Sequence, residues 1–156
     1  MTSERTTIAG RESRSTMTRE EVVAFFKRRY EAYEDLDAAA LASDYAVDAV
    51  IESPTAGVHR GRDAAEKALR VVFSAFLDMT IVVDELIIDG NRVATVLSIE
   101  GTHIGEFLGL EPTGKRFTMP AAFFYELDGG QIVRERRIYD FTGMLVQIGV
   151  LKAKPA

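Results

Sequence analysis

Arg92-Val93-Ala94-Thr95-Val96-Leu97-Ser98-Ile99-Glu100-Gly101-Thr102-His103-Ile104 is the stretch that decides the fold. Apolar and β-branched residues recur at every second position, the period of a strand half-buried against a core. Val93, Thr95, Leu97, Ile99, Gly101 and His103 share one side, while Ala94, Val96, Ser98, Glu100 and Thr102 share the other. The charged Glu100 belongs outside, so His103 is predicted to point inward with Leu97 and Ile99. Asp89-Gly90-Asn91 precedes this run and is a hairpin signal, with the apolar run 79–88 as the partner strand. The pattern repeats downstream, where runs 115–127 and 131–140 flank Asp128-Gly129-Gly130. Four long strands in an antiparallel meander follow.

Working back toward the N-terminus, the period changes from two to three and four. Thr18 with Glu21 makes a capping box, and Val22, Phe25, Phe26, Tyr30 and Tyr33 form one helical face. A second short helix is predicted over 38–45, with Leu41 and Tyr45 on one side. A strand over 47–53 ends at Pro54, and 55–61 reads as a turn region containing His59. A third helix starts at Asp63 and turns Ala65, Leu69, Val72, Phe73 and Phe76 inward. At the other end, 141–151 reads as a short helix with Met144, Leu145 and Ile148 inward. The class is α+β: N-terminal helices packed on one face of a curved, mainly antiparallel sheet. Residues 1–17 are rich in Ser, Thr, Arg and Glu without periodicity and are predicted to be a flexible tail before a single domain over 18–151.

Composition narrows the function. The chain has 156 residues, 47% of them hydrophobic, enough to bury a core. The net charge of −5 argues against nucleic acid and against an anionic membrane surface. No apolar run reaches the roughly 18–20 residues that span a bilayer, and a cytoplasmic protein is the default expectation. There are no cysteines and only two histidines, so no metal site is expected.

Two ionisable residues stand among apolar neighbours in strand-like runs. His103 has a side chain able to exchange protons near neutral pH, and Asp140 is a carboxylate that can act as a base once buried. Structural roles compete for both. An inward histidine is commonly a satisfied core residue, and an aspartate between a strand and a helix is commonly an N-cap. Arg134, Arg136 and Arg137 are expected to pair across strands with Glu100, Glu126 and Glu135. Phe117, Met119, Ala121, Phe123 and Tyr125 alternate with Ala122 and Phe124, so the sheet is apolar on both faces. Such a sheet needs cover twice, and a homodimer through its outer face is predicted.

Gly101-Thr102-His103-x-Gly105-x-Phe107-x-Gly109 with Pro112-Thr113-Gly114-Lys115 is one half of a longer signature. The other is Ile132-Val133-x-Glu135-Arg136-x-Ile138-Tyr139-Asp140 followed by Gly143-Met144-Leu145-x-Gln147-Ile148-Gly149. Together they resemble the SnoaL-like polyketide cyclase and ester cyclase branch of the NTF2-like superfamily, over roughly residues 18–151. The resemblance implies a cone-shaped α+β fold and a proton removed beside a carbonyl by Asp140. It implies a polar role near the substrate for His103 and no cofactor. Tyr30, Phe107, Ile138 and Arg136 are the expected substrate contacts, with Arg136 standing where many relatives carry Trp. The partner implied is a small or polycyclic apolar carbonyl compound.

A weaker similarity to ketosteroid isomerases places Tyr30 at their oxyanion-holding tyrosine but Ser53 at their catalytic aspartate. Limonene epoxide hydrolases also end the last strand in an aspartate, yet Gly101 and His103 occupy the neighbourhood of their remaining triad. A cavity that only binds its ligand, and an interaction protein acting through the sheet, are the competing expectations.

Overall fold

Thr18 and Glu21 close the first helix as their spacing requires. The Glu21 carboxylate accepts the Thr18 N–H at 2.7 Å, and the Thr18 hydroxyl accepts the Glu21 N–H at 3.2 Å. The computed structural model describes residues 16–153, so the tail expected over 1–17 lies outside it apart from Thr16 and Met17. Helix α1 (Arg19–Glu34) buries Val22, Phe25, Phe26, Tyr30 and Tyr33, the face its periodicity marks, and also Arg29.

Helix α2 (Ala38–Ser43) is capped by Asp37 and ends sooner than expected. Tyr45 does not continue it but opens strand β1 (Tyr45–Ser53). Aromatic and β-branched residues at 45, 47, 50 and 51 favour an extended backbone there. Residues 57–60, read as turn, form the short edge strand β2 (Gly57–Arg60) paired antiparallel with β1. Four residues are too few for alternation to show. Helix α3 (Arg62–Ala75) follows, then β3 (Thr80–Asp89), β4 (Arg92–Thr102), β5 (Arg116–Asp128), β6 (Gln131–Tyr139) and α4 (Phe141–Gln147).

The six strands lie in the order β2-β1-β6-β5-β4-β3. Only β1 and β6 run parallel. The helices cover one face, and the core forms where Phe26, Tyr33, Leu69 and Phe73 meet Leu97, Ile99, Phe123 and Tyr125. On β4 the expected face is the buried one throughout, from Val93 to His103.

Strand β6 departs from simple alternation. Leu127 pairs with Ile132, but Glu126 pairs with Arg134, so Val133 is an extra residue that reverses the parity beyond it. Ile132 is buried, and after the bulge Glu135, Arg137 and Tyr139 turn toward the helices. Arg134, Arg136 and Ile138 face outward, Ile138 being 54% exposed. Ile132 therefore lies on the opposite face from Arg136 and Ile138, which are expected substrate contacts but point away from the helices. The basic cluster is corrected in part: Arg137 does pair with Glu135, though along one strand. Arg134 and Arg136 reach Glu52 of β1 at 3.2 and 3.6 Å, while Glu100 pairs with Arg116.

Among the described residues, no helix is long and apolar enough to cross a membrane.

Gly61, the residue before α3, has φ +86° and ψ 163°, a backbone region that essentially only glycine adopts. An added Cβ would also lie 2.9 Å from the Val47 carbonyl oxygen. Gly61→Ala is expected to lower stability by about 1–3 kcal/mol in urea unfolding. An unchanged midpoint would show that the β2–α3 corner relaxes freely.

Candidate functional site

The inner face of β3–β6 curls away from α3 and leaves a cavity between them, closed at one end by α4. Counting the solvent at its open side, the space there is about 650 Å³. Phe73, Phe76, Phe107, Phe117, Phe123 and Met119 supply much of the wall. The aromatic wall is edge-on packed: Phe76 meets Phe107 and Phe117 with ring centroids 5.0 and 5.3 Å apart. The lining matches sites for small apolar molecules. Polar atoms enter the wall from three residues: Arg137, Tyr33 and Tyr139.

Arg137 joins the cavity to a buried charge network. Its Nε donates to Glu135 Oε1 at 2.5 Å and its Nη2 to the Tyr45 hydroxyl at 3.2 Å. The Tyr45 hydroxyl donates in turn to Glu135 Oε2. From α1, Arg29 Nη2 donates to the Tyr45 hydroxyl at 2.7 Å and lies 3.6 Å from Glu135 Oε2. Arg29 Nη1 reaches Asp44 Oδ2 and the Leu41 carbonyl, each at 3.0 Å. The Arg29 guanidinium also sits over the rings of Tyr33, Tyr45 and Tyr125. Burial pushes the Glu135 carboxyl up, but the Arg137 and Arg29 charges outweigh that and hold it below its ordinary value. Burial pushes the Tyr45 hydroxyl far up, so it stays a donor.

Sequence reasoning passed over Arg29 and did not place Arg137 in the site. The usable signal was Arg29 itself, a charge on the apolar face of α1 between Phe25 and Tyr33. A charge on a buried face requires a partner of opposite sign, and Glu135 is that partner.

The residues singled out from the sequence are distributed unevenly. Phe107 lies in the cavity wall. His103 is fully buried beside it, its ring centroid 5.8 Å from that of Phe76. His103 Nδ1 accepts the Thr113 N–H at 3.3 Å and lies 3.2 Å from the Thr113 hydroxyl. Nε2 is buried and without a protein partner among the described residues.

Tyr30 does not reach the cavity. Its hydroxyl donates to Thr95 Oγ1 at 3.0 Å, and burial pushes it up to about 12. Tyr33, one turn further along α1, takes its place in the wall. Arg136 and Ile138 lie on the outer sheet face. Asp140 is exposed and caps α4, its Oδ1 accepting the Gly143 N–H at 2.8 Å. It stands between Tyr139 and Phe141 in the chain, both wall residues, but is not itself among the residues that line the cavity. No contact joins it to His103. Ser53, at the position of the isomerase aspartate, instead shares the Tyr139 hydroxyl with Thr55, at 2.8 and 2.6 Å. Among the described residues, no three His, Asp or Glu side chains gather as a metal site requires.

Comparison with known proteins agrees with this architecture. A family model described as SnoaL-like polyketide cyclase matches residues 23–148. IdmH from Streptomyces antibioticus, a proposed polyketide cyclase, is 32% identical over 81% of this chain and 97% of its own, with a TM-score of 0.70. AclR from Streptomyces galilaeus, a proposed hydroxylase, is 24% identical over 88% of this chain and 87% of its own, with a TM-score of 0.78. A Catenulispora acidiphila protein with a ketosteroid isomerase-like fold is 18% identical over 89% of this chain and 100% of its own, with a TM-score of 0.70. No curated protein matches in sequence. The fold is thus the NTF2-like cone.

Glu135 provides a test of the buried network. Neutralising it leaves Arg29 and Arg137 without their shared counter-charge, so Glu135→Gln is expected to lose about 3–5 kcal/mol of stability near neutral pH. The folded carboxyl titrates below its ordinary 4.5, so its contribution is complete above that pH and is lost as pH falls through the lowered value. The gap between wild type and Glu135→Gln in urea unfolding should therefore narrow in acid. A gap independent of pH would contradict the ion pairing.

Proposed function

Because this chain belongs to the SnoaL-like polyketide cyclase family, we propose that its cavity takes a small apolar carbonyl compound whose α-proton is removed by Asp140. The observation that carries this reading is a carboxylate flanked in the chain by two residues of the cavity wall, Tyr139 and Phe141. Oδ1 is engaged as the helix cap, while Oδ2 makes no hydrogen bond among the described residues. Oδ2 is the atom that takes the proton. The electron pair of the broken C–H bond moves into the carbonyl, giving an enolate. That enolate attacks a second carbonyl and closes a ring, or regains the proton at another carbon. General-base help of this kind supplies about 10²–10⁴ in rate, enough where the carbon is already acidified by two carbonyls. His103 is buried against Phe76 of the wall and is not itself a lining residue, so its part is to support the wall rather than to touch the substrate.

A second reading rests on the same residue. An exposed aspartate held by a backbone N–H also suits a cavity that binds its ligand without chemistry. One substitution separates the two, because asparagine caps a helix as well as aspartate but is no base. Wild-type protein is expected to accelerate α-deuteron exchange of 2-tetralone in deuterated buffer, and Asp140→Asn to lose about 10²–10⁴ of that rate with binding intact. Exchange that Asp140→Asn leaves unchanged would remove Asp140 as the base. Binding without exchange in the wild type would favour the second reading.

The outer sheet face also supports a homodimer. Val82, Val96, Phe124 and Ile138 form an apolar strip, with Phe124 44% and Val82 56% exposed. Glu52, Arg134 and Arg136 border the strip on one side. Light scattering at micromolar concentration is expected to give twice the chain mass, and Phe124→Glu half of that. A monomeric wild type would refute the assembly.

A further inference from the structure

We propose that Arg137 makes the cavity selective for apolar compounds that carry one acidic oxygen, a phenolate or the enolate of a β-dicarbonyl. This rests on the reading of the cavity as a ligand site and names the chemical class it selects.

The argument starts from the donors of Arg137. Nε is bound to Glu135 and Nη2 to Tyr45, whereas Nη1 makes no hydrogen bond among the described residues. The side chain is nonetheless only 16% exposed and forms part of the cavity wall. A ligand filling the cavity displaces water from Nη1. A purely apolar ligand would then leave a charged donor unpaired in a medium of low dielectric, which is strongly unfavourable. An acidic oxygen meets that donor and gains a charge-assisted hydrogen bond.

The network behind Arg137 does not cancel its charge. Arg28, Arg29 and Arg137 together share two carboxylates, Asp44 and Glu135. Glu135 is divided between two guanidinium groups, and Asp44 already serves Arg28 and Arg29. Arg28 is 55% exposed at the Asp44 end, so what reaches the cavity is the share of the Arg137 charge that Glu135, divided with Arg29, leaves uncompensated. Arg137 is also fixed in place, since Glu135 holds its Nε and its guanidinium lies over the Phe123 ring, 5.4 Å from the centroid. A donor fixed before the ligand arrives needs little reorganisation to hold developing charge.

Among the described residues, the remaining wall offers only the neutral hydroxyls of Tyr33 and Tyr139 and no second cation. Tyr139 already shares its hydroxyl with Ser53 and Thr55. A phosphate or a sulfate would need several donors, which the aromatic wall lacks.

The test uses 4-nitrophenol, whose phenolate is coloured, at a pH equal to its pKa in free solution. An apolar cavity alone would favour the neutral phenol, so the sign of the change identifies the charge. Saturating wild-type protein is expected to shift the bound ratio toward phenolate by about tenfold. Arg137→Met should reverse the direction, and Arg137→Lys, which keeps the charge, should preserve it. A bound ratio favouring the phenol in the wild type, or phenolate preference retained in Arg137→Met, overturns the proposal. Should Arg137→Met fail to fold, the wild-type direction and its retention in Arg137→Lys decide alone. Absence of any saturable binding by equilibrium dialysis would instead overturn the cavity as a ligand site, and this inference with it.

Discussion

A guanidinium buried without water has to be matched by charge and hydrogen bonds, and that requirement organises this fold. Arg29 projects from the middle of α1 into the space between helices and sheet. It meets Asp44 at the end of α2, Tyr45 at the start of β1 and Glu135 on β6. Three consecutive elements, α1, α2 and β1, are thereby held to the distant strand β6 at one point. Apolar packing alone is tolerant of sliding, because one methyl contact resembles another. A charged group with directional donors is not. The network adds to hydrophobic burial a condition on how α1 must lie over β1 and β6.

The same point lies behind the cavity. The helices and sheet are tied together at the Arg29 end and diverge toward α4, and the aromatic residues of β5 and α3 fill only part of the gap. Arg137 belongs to both regions, packed against Glu135 on one side and facing open space on the other. The chemistry of the site is therefore continuous with what holds the fold together. Asp140 belongs to a different part of the structure, the joint between β6 and α4. Its carboxylate is supported by one backbone N–H and by its place between two wall residues.

Much of the architecture was legible from the residues. Alternation along β4 was complete, with no glycine turn or bulge within it, and every predicted inward residue from Val93 to His103 is buried. The helical face of α1 and both glycine-containing hairpins were equally plain. The site was harder, for two physical reasons. On β6 the inserted Val133 reverses the alternation, so Arg137 and Tyr139 line the cavity while Arg136 and Ile138 do not. Nothing in the residues 131–140 marks the bulge, because neither face is purely apolar. On α1, Tyr30 and Tyr33 share a face, and which of them reaches the cavity depends on the depth at which the helix lies. Tyr30 is intercepted by Thr95. Depth is set by the Arg29 network, which involves residues more than 100 positions apart.

The irregularity in β6 has a consequence for comparing this chain with its relatives. A homologue lacking the extra residue keeps the same strand in the same place but presents the opposite set of side chains to the hollow. An alignment that sets its gap on the wrong side of Val133 equates interior positions with exterior ones. Divergence between family members over this strand then mixes two kinds of change, altered chemistry at a shared position and a switch of which positions are shared. Loss or gain of a single codon there offers evolution a route to a new lining without replacing any lining residue.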